Sequence, residues 1–456
     1  MQKKIKKLKE RARKISIKEG CWTSAQGSFG DSYITPYAIA LNSPNTEIAF
    51  LSSFPGLLGP ISQWFGSNLI EKYSRKKIVL LFVLIQALTW LPIIVLALLF
   101  WKGVLANYIP LMLIIFFSLY IIFGNFASPA WFSWMGDIVD EKERGRYFSR
   151  REKILGIISV MLSLIAAFFL DFFKKHGIVL VGFSIFFFLA MTARLVSRKF
   201  FKREYEPKIK LKKGYYFSFW QFLKKAPLNN FGKFTIFRAL ISFAVFIASP
   251  FFAVYMLRNL NFGYLTFMIV TLSQTVFSLA IMPIWGKFSD RFGNYEVIRI
   301  TSALIPAIPI LWLFSRSPYY LIFCPMMISG IAWAGFNLAI GNFIYDSVTP
   351  QRRGLCVSYF NIFNGIGVFI GATIGGILIK YLTVSFMSTI LFIFLISGIA
   401  RAIVNMIMLP KIKEIREAEK FDSKRALKNL VLKTIKIPLI GPQHELMVIK
   451  KLKWKA

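Results

Sequence analysis

The sequence predicts an all-α membrane protein: twelve transmembrane helices in two pseudo-symmetric six-helix bundles. Three observations carry this. Hydrophobic residues make up 56% of the 456 residues, Phe alone contributes 48, and mean hydropathy is +0.57. A soluble domain of this length could not hide so much apolar surface. Apolar runs recur at roughly 20 residues, enough to cross about 30 Å of hydrocarbon, and the ten-residue alternation of a membrane barrel is absent. Finally, the pattern Asp-x6-Arg-Gly occurs twice, at Asp137–Arg144–Gly145 and at Asp346–Arg353–Gly354, 209 residues apart. Two further pairs keep nearly the same offset: Glu71–Lys77 with Asp290–Asn294, and Thr35-Pro36 with Ser249-Pro250. One half of the chain is a worn copy of the other, as in many secondary transporters.

The first bundle, residues 20–197, holds spans at Cys21–Leu41, Ile48–Ile70, Ile78–Trp101, Tyr108–Met135, Ile154–Phe172 and Ile178–Val196. The second, residues 234–409, holds Phe234–Met256, Tyr264–Trp285, Val297–Phe314, Tyr319–Ile344, Leu355–Tyr381 and Val384–Met408. Residues 1–19 form a basic tail, 198–233 a basic linker, and 410–456 a second basic tail. Within the linker, Tyr215, Phe217, Phe219, Trp220 and Phe222 stand beside Lys224 and Lys225. That suits a helix in the lipid headgroup layer, or equally a linker whose charge holds it inside. The C-terminal tail reads either as lying on anionic lipid or as partly disordered.

The net charge of +36 invites a nucleic-acid reading, but its distribution points elsewhere. With both termini inside, the outer loops hold only Lys102, Lys174, Lys175, Arg258, Arg316 and Lys380. This is the positive-inside pattern, so both termini are expected in the cytoplasm and the chain in the plasma membrane. No base-reading module is visible, and no nucleic-acid partner is expected. Cys21, Cys324 and Cys356 lack metal-ligand spacing, and His176 and His444 are isolated, so no metal or cofactor is implied. No nucleophile–base pair supports a membrane enzyme.

The loop after the eighth span, Gly286-Lys-Phe-Ser-Asp290-Arg291-Phe-Gly293, resembles the G-x-x-x-D-R-x-G signature of the major facilitator superfamily. Its first-half counterpart is looser: Glu71 stands for the Asp, Lys72 for the Arg, Ser74 for the second Gly, and Arg75 and Lys76 for the closing basic pair, while Gly66 comes one position early. The Asp-x6-Arg-Gly pairs fall after the fourth and tenth spans, where that family carries its other loops. The string Trp131-x-Ser133-Trp134 with Arg144–Phe148 is similar to one in many prokaryotic members. The resemblance covers Gly20 to Met408.

It implies two bundles that rock about a central cavity. Spans one, four, seven and ten line the cavity; two, five, eight and eleven lie between the bundles; the rest face lipid. It also implies a gate closing the cytoplasmic side, built from Glu71, Arg75, Asp137, Arg144, Gly286, Asp290, Arg291, Gly293, Asp346 and Arg353. Arg75 is the natural partner of Asp137, and Asn294 departs from the family's basic residue. On the bland reading, these charges only set topology and cap helices.

Asp31 is the one acid near the middle of a span. A charge there costs about 2.5–3.5 kcal/mol on insertion scales, so it is a candidate for coupling protons to transport. Ser24, Ser28, Asp31 and Thr35 share one face of a continuous helix. A structural partnership with a neighbouring amide is the alternative. Gln26, Tyr33, Asn125, Gln274, Asn337, Asn361 and Asn364 are further substrate-cavity candidates, each also able to act as helix–helix glue. No basic residue stands at mid-depth on a cavity-lining span, which disfavours a strongly anionic substrate. The fifth span lacks the Gly-Pro string common in antiporters, and the eleventh carries Gly367, Gly371, Gly375 and Gly376, a set that permits close packing. The expectation is a monomeric secondary transporter of a small organic solute, proton-coupled through Asp31. Uncoupled facilitation and solute sensing are the alternatives.

Overall fold

The computed structural model describes residues 2–140, 143–207, 219–349 and 353–419. Twelve helical columns follow one another. They are α1 (Gln2–Phe29, a 3-10 turn Asp31–Tyr33, then Ile34–Ala40), α2 (Asn45–Leu69), α3 (Arg75–Trp101), α4 (Ile109–Ile138), α5 (Arg144–Lys175) and α6 (Val179–Arg203). The second half repeats them as α7 (Asn230–Asn259), α8 (Tyr264–Phe292), α9 (Asn294–Leu304 and Ala307–Leu311), α10 (Pro318–Ser347), α11 (Arg353–Tyr381) and α12 (Thr389–Met408). Among the described residues, nine helices are long and apolar enough to cross a membrane; α1, α2 and α9 complete the set although each is too polar or too broken to qualify alone.

The breaks in α1 and α7 have one cause. Pro36 has no N–H for the carbonyl four residues back, and its ring crowds that carbonyl; Pro250 does the same 214 residues later. The helix therefore yields at Gly30–Tyr33 and again at Ile247–Pro250. In the first break Gly30 is obligatory, since a Cβ there would lie 2.4 Å from the Trp90 ring.

The basic N-terminal tail is helical. It continues α1 through residues 2–19, and Ala12, Ser16 and Glu19 on that stretch are buried. Lys and Arg favour helix, so nothing halts the helix where the apolar run begins. In the linker, Phe219–Lys225 forms a short amphipathic helix: Phe222 is buried against Phe231, Tyr359 and Phe363, while Trp220 stays exposed. Tyr215, Phe217 and residues 420–456 lie outside the described residues, as does the side chain of Arg353.

The hydrophobic core divides unevenly. At the end far from the termini, one cluster joins both halves, from Tyr33, Tyr37 and Phe183 across to Phe251, Tyr255 and Tyr264. Toward the termini it splits in two. One cluster belongs to the first half, around Trp134 and Met135, and the other to the second, around Phe234, Trp285 and Phe343. Among the described residues the core is thus continuous between the halves at the far end and divided at the terminal end. The long seam between them is α2 against α11. Gly365 there meets the Gly56 carbonyl, Ser53 Oγ donates to Phe369 O at 2.9 Å, and Asn361 Nδ2 donates to Gln63 Oε1 at 3.0 Å.

Candidate functional site

Asp31 sits in the α1 break, and its side chain is solvent-exposed although the flanking Gly30 and Tyr33 are buried. An ionisable group at this depth faces the bundle interior or an aqueous cavity rather than lipid, and its exposure fits the cleft between the halves. Gln26 Nε2 donates to Asp31 Oδ1 at 3.2 Å and also bonds the Tyr120 hydroxyl.

The break also undoes the expected polar face. Helical spacing does not carry across Gly30, so Ser28 points away from Asp31: it is fully buried, and its Oγ donates to Ser24 O at 2.8 Å and Ser159 O at 3.1 Å. Tyr33, proposed for the cavity, is likewise fully buried; its hydroxyl donates to Ser163 O at 2.5 Å and its ring packs on Phe183 and Phe186. Thr35 is half-buried. Asn125 donates to Ile121 O of its own helix at 2.9 Å. Asn361 bonds across the α2–α11 seam, and Asn364 accepts from Ser242 on α7 at 2.5 Å, so both join helices. Gln274 and Asn337 line a second cavity, described below.

Sequence reasoning missed a buried polar seam below Asp31. Arg194 on α6 donates to Gln86 Oε1 at 2.9 Å and to Thr23 Oγ1 at 2.9 Å. Thr23 Oγ1 donates to Glu19 Oε1 at 2.6 Å, and Glu19 pairs with Arg151 at 3.3 Å, both side chains buried. Glu19, Thr23, Arg151 and Arg194 border a cavity of about 280 Å³. Arg194 interrupts the sixth apolar run, a signal the sequence offered, whereas Glu19 was hidden in the basic tail.

Just beyond α6, Glu204 is buried with no described hydrogen bond to either carboxyl oxygen. Burial first, then the nearby Glu19 charge, push its carboxyl up to about 9, with Arg151 and Lys76 pulling back. A folded value above the unfolded 4.5 means that the folded chain binds the extra proton. Stability is therefore lost as pH rises from 4.5 toward 9, on the order of 3 kcal/mol by pH 7. Glu204→Gln is expected to flatten that slope and to melt higher than the parent at pH 8. Melting curves of the detergent-purified pair from pH 5 to 9 check this; parallel profiles would place the titration elsewhere.

At the terminal end each half pairs charges between its own loops. Arg75, only 1% exposed, reaches Asp137 Oδ2 at 2.6 Å and also bonds Ser133 O and Pro207 O. In the second half Asn294 stands where Arg75 does, donating to Asp346 Oδ2 at 2.8 Å, and the missing charge comes from Arg416 at 3.8 Å. The segment after α12 thus straps this loop. Glu414 accepts from Tyr295 N at 2.7 Å, next to Gly293, whose φ of +86° lies in the left-handed region. Arg291 pairs with Glu419 on the surface. Asp290 is exposed, and Gly286 faces open space. Arg144, expected in the gate, instead bonds Gly136 O at 2.7 Å and Val139 O at 3.3 Å, capping the end of α4. Glu71 makes a contact of its own. The ion pairs described at this end lie within a half, not across the cleft.

The far end carries the opposite arrangement. Asp171 at the end of α5 accepts from the backbone N–H of Tyr264 at 2.7 Å and of Leu265 at 2.9 Å, holding the N-terminus of α8. Arg258 on α7 bonds Asn45 Oδ1 at 2.6 Å and Ser43 O at 2.7 Å. Both contacts join the halves. Among the described residues, no group of three or more His, Cys, Asp or Glu could hold a metal ion.

The sequence model of the Major Facilitator Superfamily matches this chain twice, over residues 25–247 and 234–442, one match per half. The chain belongs to the major facilitator superfamily. As a member it is a multi-pass membrane transporter. The fold agrees with solved members: a variant of the nucleoside transporter NupG superposes with a TM-score of 0.64 at 16% identity, covering 89% of this chain and 100% of that one. A bacterial homologue of the iron transporter ferroportin, inward-facing, gives 0.62 at 15% identity over 88% and 98%; its outward-facing form gives 0.58. An uncharacterized transporter of Schizosaccharomyces pombe is 28% identical over 110 residues, 24% of this chain; that match spans about a fifth, 19%, of the relative's length.

Proposed function

We propose that this facilitator-superfamily chain moves a small organic solute by alternating access, coupled to protons through Asp31, across the plasma membrane with both termini in the cytoplasm. The observation that carries the reading is Asp31 itself: a carboxyl at a helix break, deep in the bundle, yet open to the cleft. The crowding of Lys and Arg at the terminal end supports the orientation. Under that orientation the cleft opens to the cytoplasm, which the continuous core at the far end supports. The direct test is solute-dependent proton movement in proteoliposomes carrying a trapped pH dye. Candidate solutes come from a thermal-shift screen, since a ligand stabilises by RT ln(1 + [L]/Kd). Solute flux without proton movement would leave an uncoupled facilitator.

The two ends act as opposed latches. In this arrangement Asp171 and Arg258 hold the outer side shut; in the alternate one the loops bearing Asp137, Asp290 and Asp346 close on each other. A carboxylate at a helix N-terminus is worth about 1 kcal/mol, roughly a fivefold shift in population. Asp171→Asn is expected to favour the outward-open state, and Asp137→Asn the inward-open one. Electron–electron distance measurements between spin labels on the two halves read both populations. Shifts in the same direction, or none, would reduce these acids to helix caps and topology signals.

A further inference from the structure

The second half contains a cavity of about 360 Å³ between α7, α8, α9, α10 and α12. Its wall holds two guanidinium groups, Arg238 and Arg401, and no acidic residue. Arg401 is 2% exposed; its Nη1 and Nη2 reach the Ile305 and Val245 carbonyls at 3.2 and 3.4 Å, and its Nε has no partner. Arg238 lies over the Trp333 and Phe336 rings at 5.9 and 5.4 Å, stacked but not ion-paired among the described residues. In the first half, by contrast, the buried Arg75 and Arg151 pair with Asp137 and Glu19. Burying a cation without a counter-charge is costly, so such a pair of cations is poised for an anion brought from outside.

The rest of the wall suits the remainder of such a ligand. Gln274 and Asn337 offer amides, and the half-buried Trp333 offers an aromatic face, while Trp312 closes the wall from behind. A few hundred cubic ångströms, largely apolar with a few convergent polar groups, is the ordinary form of a small-molecule site. We infer that this cavity binds a small organic anion: a carboxylate or phosphate group on Arg238 and Arg401, with a planar apolar body against Trp333. This revises the expectation that strongly anionic substrates are disfavoured: Arg238 on α7 and Arg401 on α12 both reach the cavity wall. The inference rests on the transporter reading only for what the binding accomplishes.

Isothermal titration of the purified full-length chain tests binding without any transport. The probes are phenylacetate, phenyl phosphate, the neutral phenylacetamide, and inorganic phosphate. At least one aromatic anion is expected to bind ten-fold or more tighter than phenylacetamide, and which one tells carboxylate from phosphate. Arg238→Gln is expected to remove that ten-fold preference while leaving the weak amide binding unchanged. Arg238 is the variant of choice because Arg401 is fully buried and bonded to two backbone carbonyls, so replacing it risks the fold; an unchanged melting temperature without ligand confirms that Arg238→Gln is folded. Equal binding of anion and amide, no binding of either aromatic anion, or an unaltered preference in Arg238→Gln would overturn the assignment. Inorganic phosphate binding as tightly as the aromatic anions would overturn the aromatic part of it. Failure here leaves the proton-coupling test untouched, and the converse also holds.

Discussion

Asp31→Asn is expected to abolish accumulation of solute against its gradient while leaving binding and exchange measurable. The substitution changes charge and titration but almost nothing of shape. Gln26 presently donates to the Asp31 carboxyl and also bonds Tyr120. With Asn at 31, a flip of the Gln26 amide lets its oxygen accept from both neighbours, so the local network can be satisfied again. What is lost is a site where a proton can board from the cleft and leave when the cleft opens to the other side. A charge carried across the membrane gains about 2.3 kcal/mol per 100 mV, which at one proton per solute corresponds to roughly fifty-fold accumulation. The variant is therefore expected to equilibrate solute without concentrating it. Uptake into proteoliposomes under an imposed proton gradient, compared with counterflow in its absence, separates the two. Continued accumulation by Asp31→Asn would make this carboxyl a structural group and move coupling elsewhere.

The fold was far more legible in the sequence than the site was. Apolar runs and positive charge act over whole segments, so span order and the duplicated loops survive any local error. Even the weakest repeat, Thr35-Pro36 with Ser249-Pro250, marks a real feature, since each proline breaks the first helix of its half. Boundaries fared worse where polar helix continued past the membrane, as in residues 2–19 of α1. Site residues failed for a geometric reason. Ser28 and Asp31 share a face only if α1 is continuous, and the turn at Gly30 sends one to α5 and the other to the cleft. An amide in an apolar run reads the same whether it faces a cavity, as Asn337 does, or a neighbouring helix, as Asn361 does. The Arg194–Gln86–Thr23–Glu19 seam draws on α1, α3 and α6, and no local pattern announces such long-range partners. Asn294 is instructive in the other direction. Its departure from a basic residue was visible, but the compensation by Arg416, from the segment after α12, was not.

The second large effect concerns the glycines of α11. Gly367, Gly371 and Gly375 recur every four residues, so they form one stripe, and that stripe lies directly on the backbone of α7. A Cβ at these positions would stand 2.1 Å from Ala239 O, 2.2 Å from Phe243 O and 2.3 Å from Ile247 O. Each obstacle is a carbonyl oxygen of a helix, not the end of a movable side chain, so the helices themselves must part. Lipid tails are as apolar as Leu, and close backbone packing is the main attraction available between such helices. Separating them would also strain the Ser242–Asn364 bond and the adjacent α2–α11 seam about which the halves are joined. Gly371→Ala is accordingly expected to lower stability by roughly 1–3 kcal/mol, the usual cost of overpacking, and Gly371→Leu to prevent recovery of a monodisperse protein. Gly341→Ala on α10, where nothing lies within 4 Å of the added methyl, is the matched control and is expected to be neutral or slightly stabilising. Thermal melting of the three variants in detergent decides the matter. If Gly371→Ala melts with the parent, α7 and α11 are not held by contact at this stripe, and the stability of the second half must come from its aromatic core around Phe234 and Phe343 instead.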